Sequence, residues 1–230
     1  MRIVSGVLFA VCLTAMAGCS TRSISNSGFP EDRPNWAYRG EVQEADLIVP
    51  AAGPIAEQEI VDQLAVRQPV VPQRGNLLMV IQSGALQPDS AMLDALGRDF
   101  RLVPVSGVPG ESDQIGRRLR LMAAEGGVGQ ILCYWGELEA GRSGEAGKAV
   151  SWLPIVGSIV PDETQHMRIV LRAVLLDVAT GRWRMFTPPP VDDERLSASI
   201  GRRSSDQSQV ERLKHEGYAS LARSLVEAAG

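Results

Sequence analysis

The chain reads as an α/β protein of the α+β type: a single domain with a mixed sheet in β-α-β-α-β-β-β-α order, preceded by a signal peptide and a flexible tether. Three observations predict this. Between residues 75 and 139, short apolar runs alternate with amphipathic stretches, which is the rhythm of strand–helix–strand units. After residue 165, two strand-like runs are parted only by Ala179-Thr180-Gly181, a hairpin signature. The chain then closes on a long stretch whose apolar residues recur at helical spacing.

The N-terminus reads as an export signal. Arg2 is its lone positive charge, and Ile3 to Ala17 is nearly all apolar or small, with no acidic residue. That run is shorter than the roughly 20 residues of a membrane span, but it suits a signal-peptide core. Met16-Ala17-Gly18-Cys19 ends it. This tetrad resembles a bacterial lipobox, in which the Cys thiol is diacylated, the chain is cut before it, and the new N-terminus is acylated as well. The resemblance makes residues 1–18 a lipoprotein signal peptide and Cys19 the lipidation site, with membrane lipid as its partner. The competing reading is an ordinary signal peptide with an incidental cysteine. Ser20 follows, not Asp, and under the sorting rules that go with a lipobox this implies the cell outer membrane, facing the periplasm. Stable anchoring takes more than one acyl chain, and a lipobox product carries several.

Residues 19–54 have the composition of a lipid anchor and tether. They are rich in Ser, Asn, Pro, Gly and Arg and show no helical or strand period. Stretched out, Ser20 to Pro54 would span roughly 110 Å at ~3.3 Å per residue. Trp36 and Tyr38 stand out in it, either as a docking patch or as a flap against the domain.

The mixed α/β domain is expected over residues 55–230. Residues 55–68 place Ile55, Ile60 and Leu64 at helical spacing and stop before Pro69. Residues 76–83 form a continuous apolar run between Gly75 and Gly84, as a buried strand would. Pro88-Asp89-Ser90 starts a helix whose face is Met92, Leu93 and Leu96, and Gly97 stops it. Residues 100–106 are the next strand. A helix follows with Ile115, Leu119, Met122 and Ala123 on one stripe, acids in its first turn and Gly126-Gly127 at its end. Residues 130–139 make a third strand, and the hairpin on either side of Ala179-Thr180-Gly181 supplies two more. Val210, Leu213, Gly217, Leu221 and Leu225 then line one face of the last helix. The two crossover helices are expected to cover one side of a sheet that is parallel early and antiparallel late.

Charge and cysteine content narrow the function. There are 23 basic against 27 acidic side chains, a net charge of −4, with no basic tail or lysine run, so nucleic acid is not an expected partner. Of the 3 cysteines, Cys12 leaves with the signal and Cys19 becomes a thioether. Cys133 is then alone, no internal disulfide is possible, and its apolar setting between Leu132 and Tyr134 marks a small buried hydrophobe.

The inventory argues against an enzyme, a metal site or a cofactor. His166 and His215 are the only histidines, and no Cys or carboxylate cluster has metal-ligand spacing. No nucleophile elbow appears. Gly126-Gly127-Val128-Gly129 follows a helix and precedes a strand, the reverse of a dinucleotide loop, so it is a helix stop. Asp192-Asp193-Glu194 after three prolines reads as a solvated turn in preference to a cation site, and Arg117, Arg118 and Arg120 as the wet face of their helix.

The element order, together with the phrase Ala173-Val174-Leu175-Leu176-Asp177-Val178-Ala179-Thr180-Gly181-Arg182-Trp183-Arg184-Met185-Phe186, resembles a group of periplasmic lipoprotein domains. These are related to the N-terminal domain of TolB, the curli-secretion subunit CsgG and the penicillin-binding-protein activator LpoB, and the small rhombotarget lipoproteins look similar. The resemblance covers roughly residues 75 to 228; unlike the rhombotarget pattern, the sequence shows no C-terminal Gly-Gly and apolar tail before Gly230. It implies protein binding or assembly work at the envelope, which is an inference by fold analogy.

Residues 149–164 are the candidate surface. They lie between a Gly-rich hydrophilic loop and the fourth expected strand, and are more apolar than a loop needs to be. One reading is an extra edge strand or helical turn packed on the core. The other is an apolar surface, carried by Trp152, Ile155, Val156 and Ile159, for an envelope protein partner or the membrane. Pro154 and Gly157 break the alternation that a barrel strand needs, so no pore is expected. The sequence therefore points to an outer-membrane-anchored periplasmic lipoprotein acting as a protein-binding or assembly module. The alternative is a periplasmic hydrolase or small-ligand carrier using a pocket at the strand ends.

Overall fold

β2 and β4 lie inside the sheet because their sequences are apolar on both faces. The computed structural model describes residues 22–26, 38–48, 56–65, 68–110, 114–143, 150–154, 165–195 and 202–230. Its strands are β1 (Arg22–Ser23), β2 (Leu77–Ser83), β3 (Arg101–Gly107), β4 (Gln130–Ser143), β5 (Val150–Pro154), β6 (Gln165–Asp177), β7 (Trp183–Phe186) and β8 (Val191–Arg195). Its helices are α1 (Glu44–Leu47), α2 (Glu57–Ala65), α3 (Ser90–Leu96), α4 (Ile115–Glu125) and α5 (Arg202–Ala228), with one turn of 3-10 helix at Ile24–Asn26.

Together the strands form a mixed 8-stranded sheet in a single α+β domain. Its spine runs β3-β2-β4-β6-β7, with β1 and β5 continuing the β2 side of β4 and β8 pairing with β6. β2 is parallel to both β3 and β4, whereas β4 and β6 form a long antiparallel pair from Gln130↔Asp177 to Arg142↔Gln165.

Strand periodicity sorts the core into two layers. Leu78, Val80, Leu132, Tyr134, Ile169, Leu171, Ala173 and Leu175 face α3 and α5, packing on Met92, Leu96, Leu213, Leu221 and Leu225. Met79, Ile81, Ile131, Cys133, Trp135, Val174 and Leu176 face the other way, onto Ala123 of α4 and onto Val42 and Leu47. The crossover helices therefore lie on opposite faces, not on one side as the element order suggested. The reason is strand order. β3 and β4 flank β2, so the first crossover moves one way and the second moves back across β2, and right-handed connections then fall on opposite faces.

Other differences are local. The acidic run expected to be a turn is strand β8, where Asp192 pairs in register with Arg168, and Asp193 reaches Arg212 of α5 at 2.6 Å. Arg120 is not on the wet face of α4: its guanidinium donates to the carbonyls of Val178 (2.8 Å) and Ala179 (3.0 Å), fastening α4 to the β6–β7 turn. Met122, expected on the buried stripe, is 40% exposed. Residues 150–154 do form an edge strand, against Glu139–Ser143.

Of the stretch with tether composition, residues 22–26 and 38–48 are part of the folded body. Ile24, Val42 and Leu47 are each at most 2% exposed. Arg22 and Ser23 pair with Leu138 and Glu137. Ile24 fits because residue 136 is glycine: a Cβ there would stand 2.7 Å from Ile24 Cγ2 and 2.6 Å from Leu171 Cδ2. Leu171 is gripped from the other side by α5, where Gly217 lets the helix approach; a Cβ at that position would lie 2.9 Å from Leu171 Cδ1.

Candidate functional site

Open α/β sheets bind ligands at the carboxyl ends of their parallel strands, where successive crossovers diverge to opposite faces. In the order β3-β2-β4 that point lies where the end of β2 meets β4, with α3 on one face of the sheet and α4 on the other. Gln82 and Ser83 end β2, both 1% exposed. Two polar residues closing a strand of leucines, valine and isoleucine need partners, because an unpaired buried amide or hydroxyl costs about 1–3 kcal/mol.

The partners come from the chain itself. Gln82 Oε1 accepts from Tyr134 Oη at 2.6 Å and from the Asp89 backbone N–H at 2.7 Å, and Gln82 Nε2 donates to Ser25 Oγ at 3.1 Å. Ser25 Oγ in turn donates to the Ser83 carbonyl at 2.5 Å. On the opposite face, Ser83 Oγ (2.9 Å) and Trp135 Nε1 (2.6 Å) both donate to the Val42 carbonyl. Tyr38 lies over Gly84, where a Cβ would stand 3.0 Å from the Tyr38 ring and 3.0 Å from Glu41 Cγ. Tyr38 is thus the flap against the domain. The crevice is plugged from both faces by residues 23–25 and 38–42.

The plug continues into α3 and α5. Asp89, at the start of α3, uses its carboxylate to accept from Tyr218 Oη at 2.5 Å and to pair with Lys214 Nζ at 3.0 Å. Tyr218 and Tyr134 meet edge to face, with ring centroids 5.7 Å apart. Both phenols are held well above the ordinary tyrosine range, chiefly by burial, with the Asp89 carboxylate adding to it. Burial also pushes the Cys133 thiol up, with the nearby Glu41 charge second. These groups keep their protons. Chemically, the cluster is suited to holding segments in place rather than to proton transfer near neutral pH.

Among the described residues, no group of three or more His, Cys, Asp or Glu is placed to hold a metal. No described helix is long and apolar enough to cross a membrane. A hollow of about 560 Å³ lies under the end of α4, lined by Leu121, Ala124, Val128 and Val178 together with Arg117. A groove of about 390 Å³ runs between α3 and α5 past Asp94, Arg98, His215 and Arg223.

Trp152 falls on β5, paired in register with Gly141. Ile155, Val156, Ile159 and Cys19 lie outside the described residues. An exposed apolar surface that the sequence reading did not assign to function is on α2, where Ile60, Val61 and Leu64 are 46%, 55% and 63% exposed. The signal was its helical period, which tells that a stripe exists but not whether anything covers it.

No curated protein matches the chain. A solved structure from Chlamydia trachomatis, described as that of the hypothetical protein CT253, aligns over 67% of this chain and 95% of its own, at 13% identity and a TM-score of 0.28. A superposition that loose carries no argument. The family model described as YafT bacterial lipoprotein matches residues 43–228, from the residue before α1 to the last turn of α5. With that much of its length covered, the chain belongs to the YafT bacterial lipoprotein family.

Proposed function

We propose that this lipoprotein is anchored in the outer membrane through acylated Cys19, faces the periplasm, and acts as a protein-binding or assembly module of the envelope, in the manner of the TolB-, CsgG- and LpoB-related domains it resembles. The observation that carries the reading is the plugged crevice. The place where such a sheet would take a small molecule is filled by Ser25, Tyr38 and Val42 of the same chain. Surfaces are then what remains for recognition. The one assigned to the partner is the apolar stretch that starts on β5, with Trp152, Ile155, Val156 and Ile159.

The test is a pull-down from native envelopes with the acylated protein and its Trp152→Ala variant, alongside urea unfolding of the soluble fragment 20–230. The expected result is a stoichiometric protein partner that the variant captures poorly, with stability unchanged within ~0.5 kcal/mol. A loss of about 3–5 kcal/mol would place Trp152 in the core and remove it from the binding surface. A copurifying small molecule in place of a protein would favour a hydrolase or carrier, which would require Ser25 and Val42 to withdraw from the strand ends.

A further inference from the structure

The acyl anchor and the folded body are closer together than the composition of residues 20–54 suggests. Cys19, the expected lipidation site, is three residues before Arg22. Arg22 is already paired with Leu138 on the edge of β4. Three residues reach no further than about 10 Å, against the roughly 110 Å available if the whole stretch were free.

The pin is a strong one for so short a strand. Ile24 is 2% exposed and occupies the space left by Gly136, beside Leu171. Ser25 Oγ exchanges hydrogen bonds with the Ser83 carbonyl and Gln82 Nε2, and the Ser25 N–H donates to Ser23 Oγ at 3.1 Å. Withdrawing β1 would empty an apolar hole and strip partners from two residues buried at the end of β2.

The pin also has a direction. β1 and β5 use the same edge of β4, with Arg22 opposite Leu138 and Pro154 opposite Glu139, one residue further on. The lipid therefore belongs beside the end of β5 from which the apolar stretch departs. The β6–β7 turn at Ala179 lies at the other end of the sheet. It is about 30 Å away, nine residues of β4 at ~3.3 Å each.

We propose that the pairing of Arg22–Ser23 with β4 holds the domain on a short leash, so that it rests against the lipid bilayer with the β1/β5 end of the sheet down and the β6–β7 turn pointing away. The proposal rests on the Cys19 anchor of the preceding section. An envelope partner that meets the β5 surface must then reach it at the bilayer.

Acylated full-length protein in phosphatidylethanolamine–phosphatidylglycerol vesicles tests this, with a fluorophore on Asp192→Cys or on Ala179→Cys and an acceptor dye on the lipid headgroups. Both positions are exposed, and the buried Cys133 should not compete for label. Energy transfer is expected to be several-fold stronger from residue 192, which lies level with Glu139 through Arg168, than from residue 179. Inserting twenty Gly/Ser residues between Ser20 and Thr21, ahead of the pairing that begins at Arg22, should abolish the difference. Equal transfer from the two sites, or stronger transfer from residue 179, overturns the proposal. The mass of the N-terminal peptide is read separately: an unacylated Cys19 would refute the anchor itself, whereas an acylated chain with equal transfer refutes only the leash.

Discussion

Tyr218 donates to Asp89 from a site with no measurable exposure, and this couples stability to alkaline pH. A phenol whose pKa is raised by folding binds its proton more tightly in the native state. The stabilisation it carries is complete below the unfolded value near 10 and is lost as pH rises beyond it. Tyr134 behaves the same way, so urea midpoints should hold steady from neutral pH to about 10 and then fall. Tyr218→Phe should cost about 1–2 kcal/mol at neutral pH, because Asp89 keeps Lys214 but loses a hydrogen bond. The variant should also lose stability less steeply above about pH 10; equal slopes would place the alkaline transition elsewhere. At this scale the sequence was legible wherever burial follows from neighbours: Cys133 lies in the core as Leu132 and Tyr134 imply. The Gln82–Ser25 and Ser83–Val42 contacts were not legible, since nothing local in a glutamine or a serine names a partner many residues away.

Elements with a strong period were legible, and elements without one were not. β2, α3 and α5 match their apolar patterns closely, because an apolar run or stripe bounded by start and stop residues leaves little choice of structure. β1 is two residues long and has no period to read. β8 was hidden by the prolines before it and by an acidic run in which Asp193 serves α5. α2 has a period that its surroundings do not use: none of its described residues is buried. Replacing Ile60 and Leu64 together with Ser should therefore change the unfolding free energy of fragment 20–230 by less than ~0.5 kcal/mol. A larger loss in urea titration would mean that the helix is packed after all.

For the molecule as a whole, the placement of α3 and α4 depends on strand order, which a single sequence does not spell out. Had β3 lain between β2 and β4, the same elements would have put both helices on one face. Composition does not mark which parts of residues 19–54 pack, because three isolated apolar residues, Ile24, Val42 and Leu47, are buried within a polar stretch. A fragment beginning at Tyr38 should consequently be less stable than one beginning at Ser20, by about 2–5 kcal/mol, the range for emptying a buried Ile site. Equal urea midpoints for the two fragments would show that the N-terminal segment only decorates the sheet. That segment also has an awkward place in the order of synthesis. Arg22 is made first, yet its partner Leu138 and the Gly136 hollow that receives Ile24 follow more than a hundred residues later. Closing so long a loop is slow relative to forming the local crossovers. During biogenesis the outer part of the β4 edge therefore stands open while its own strand waits, and this is the interval in which a chaperone or a borrowed strand could take that place.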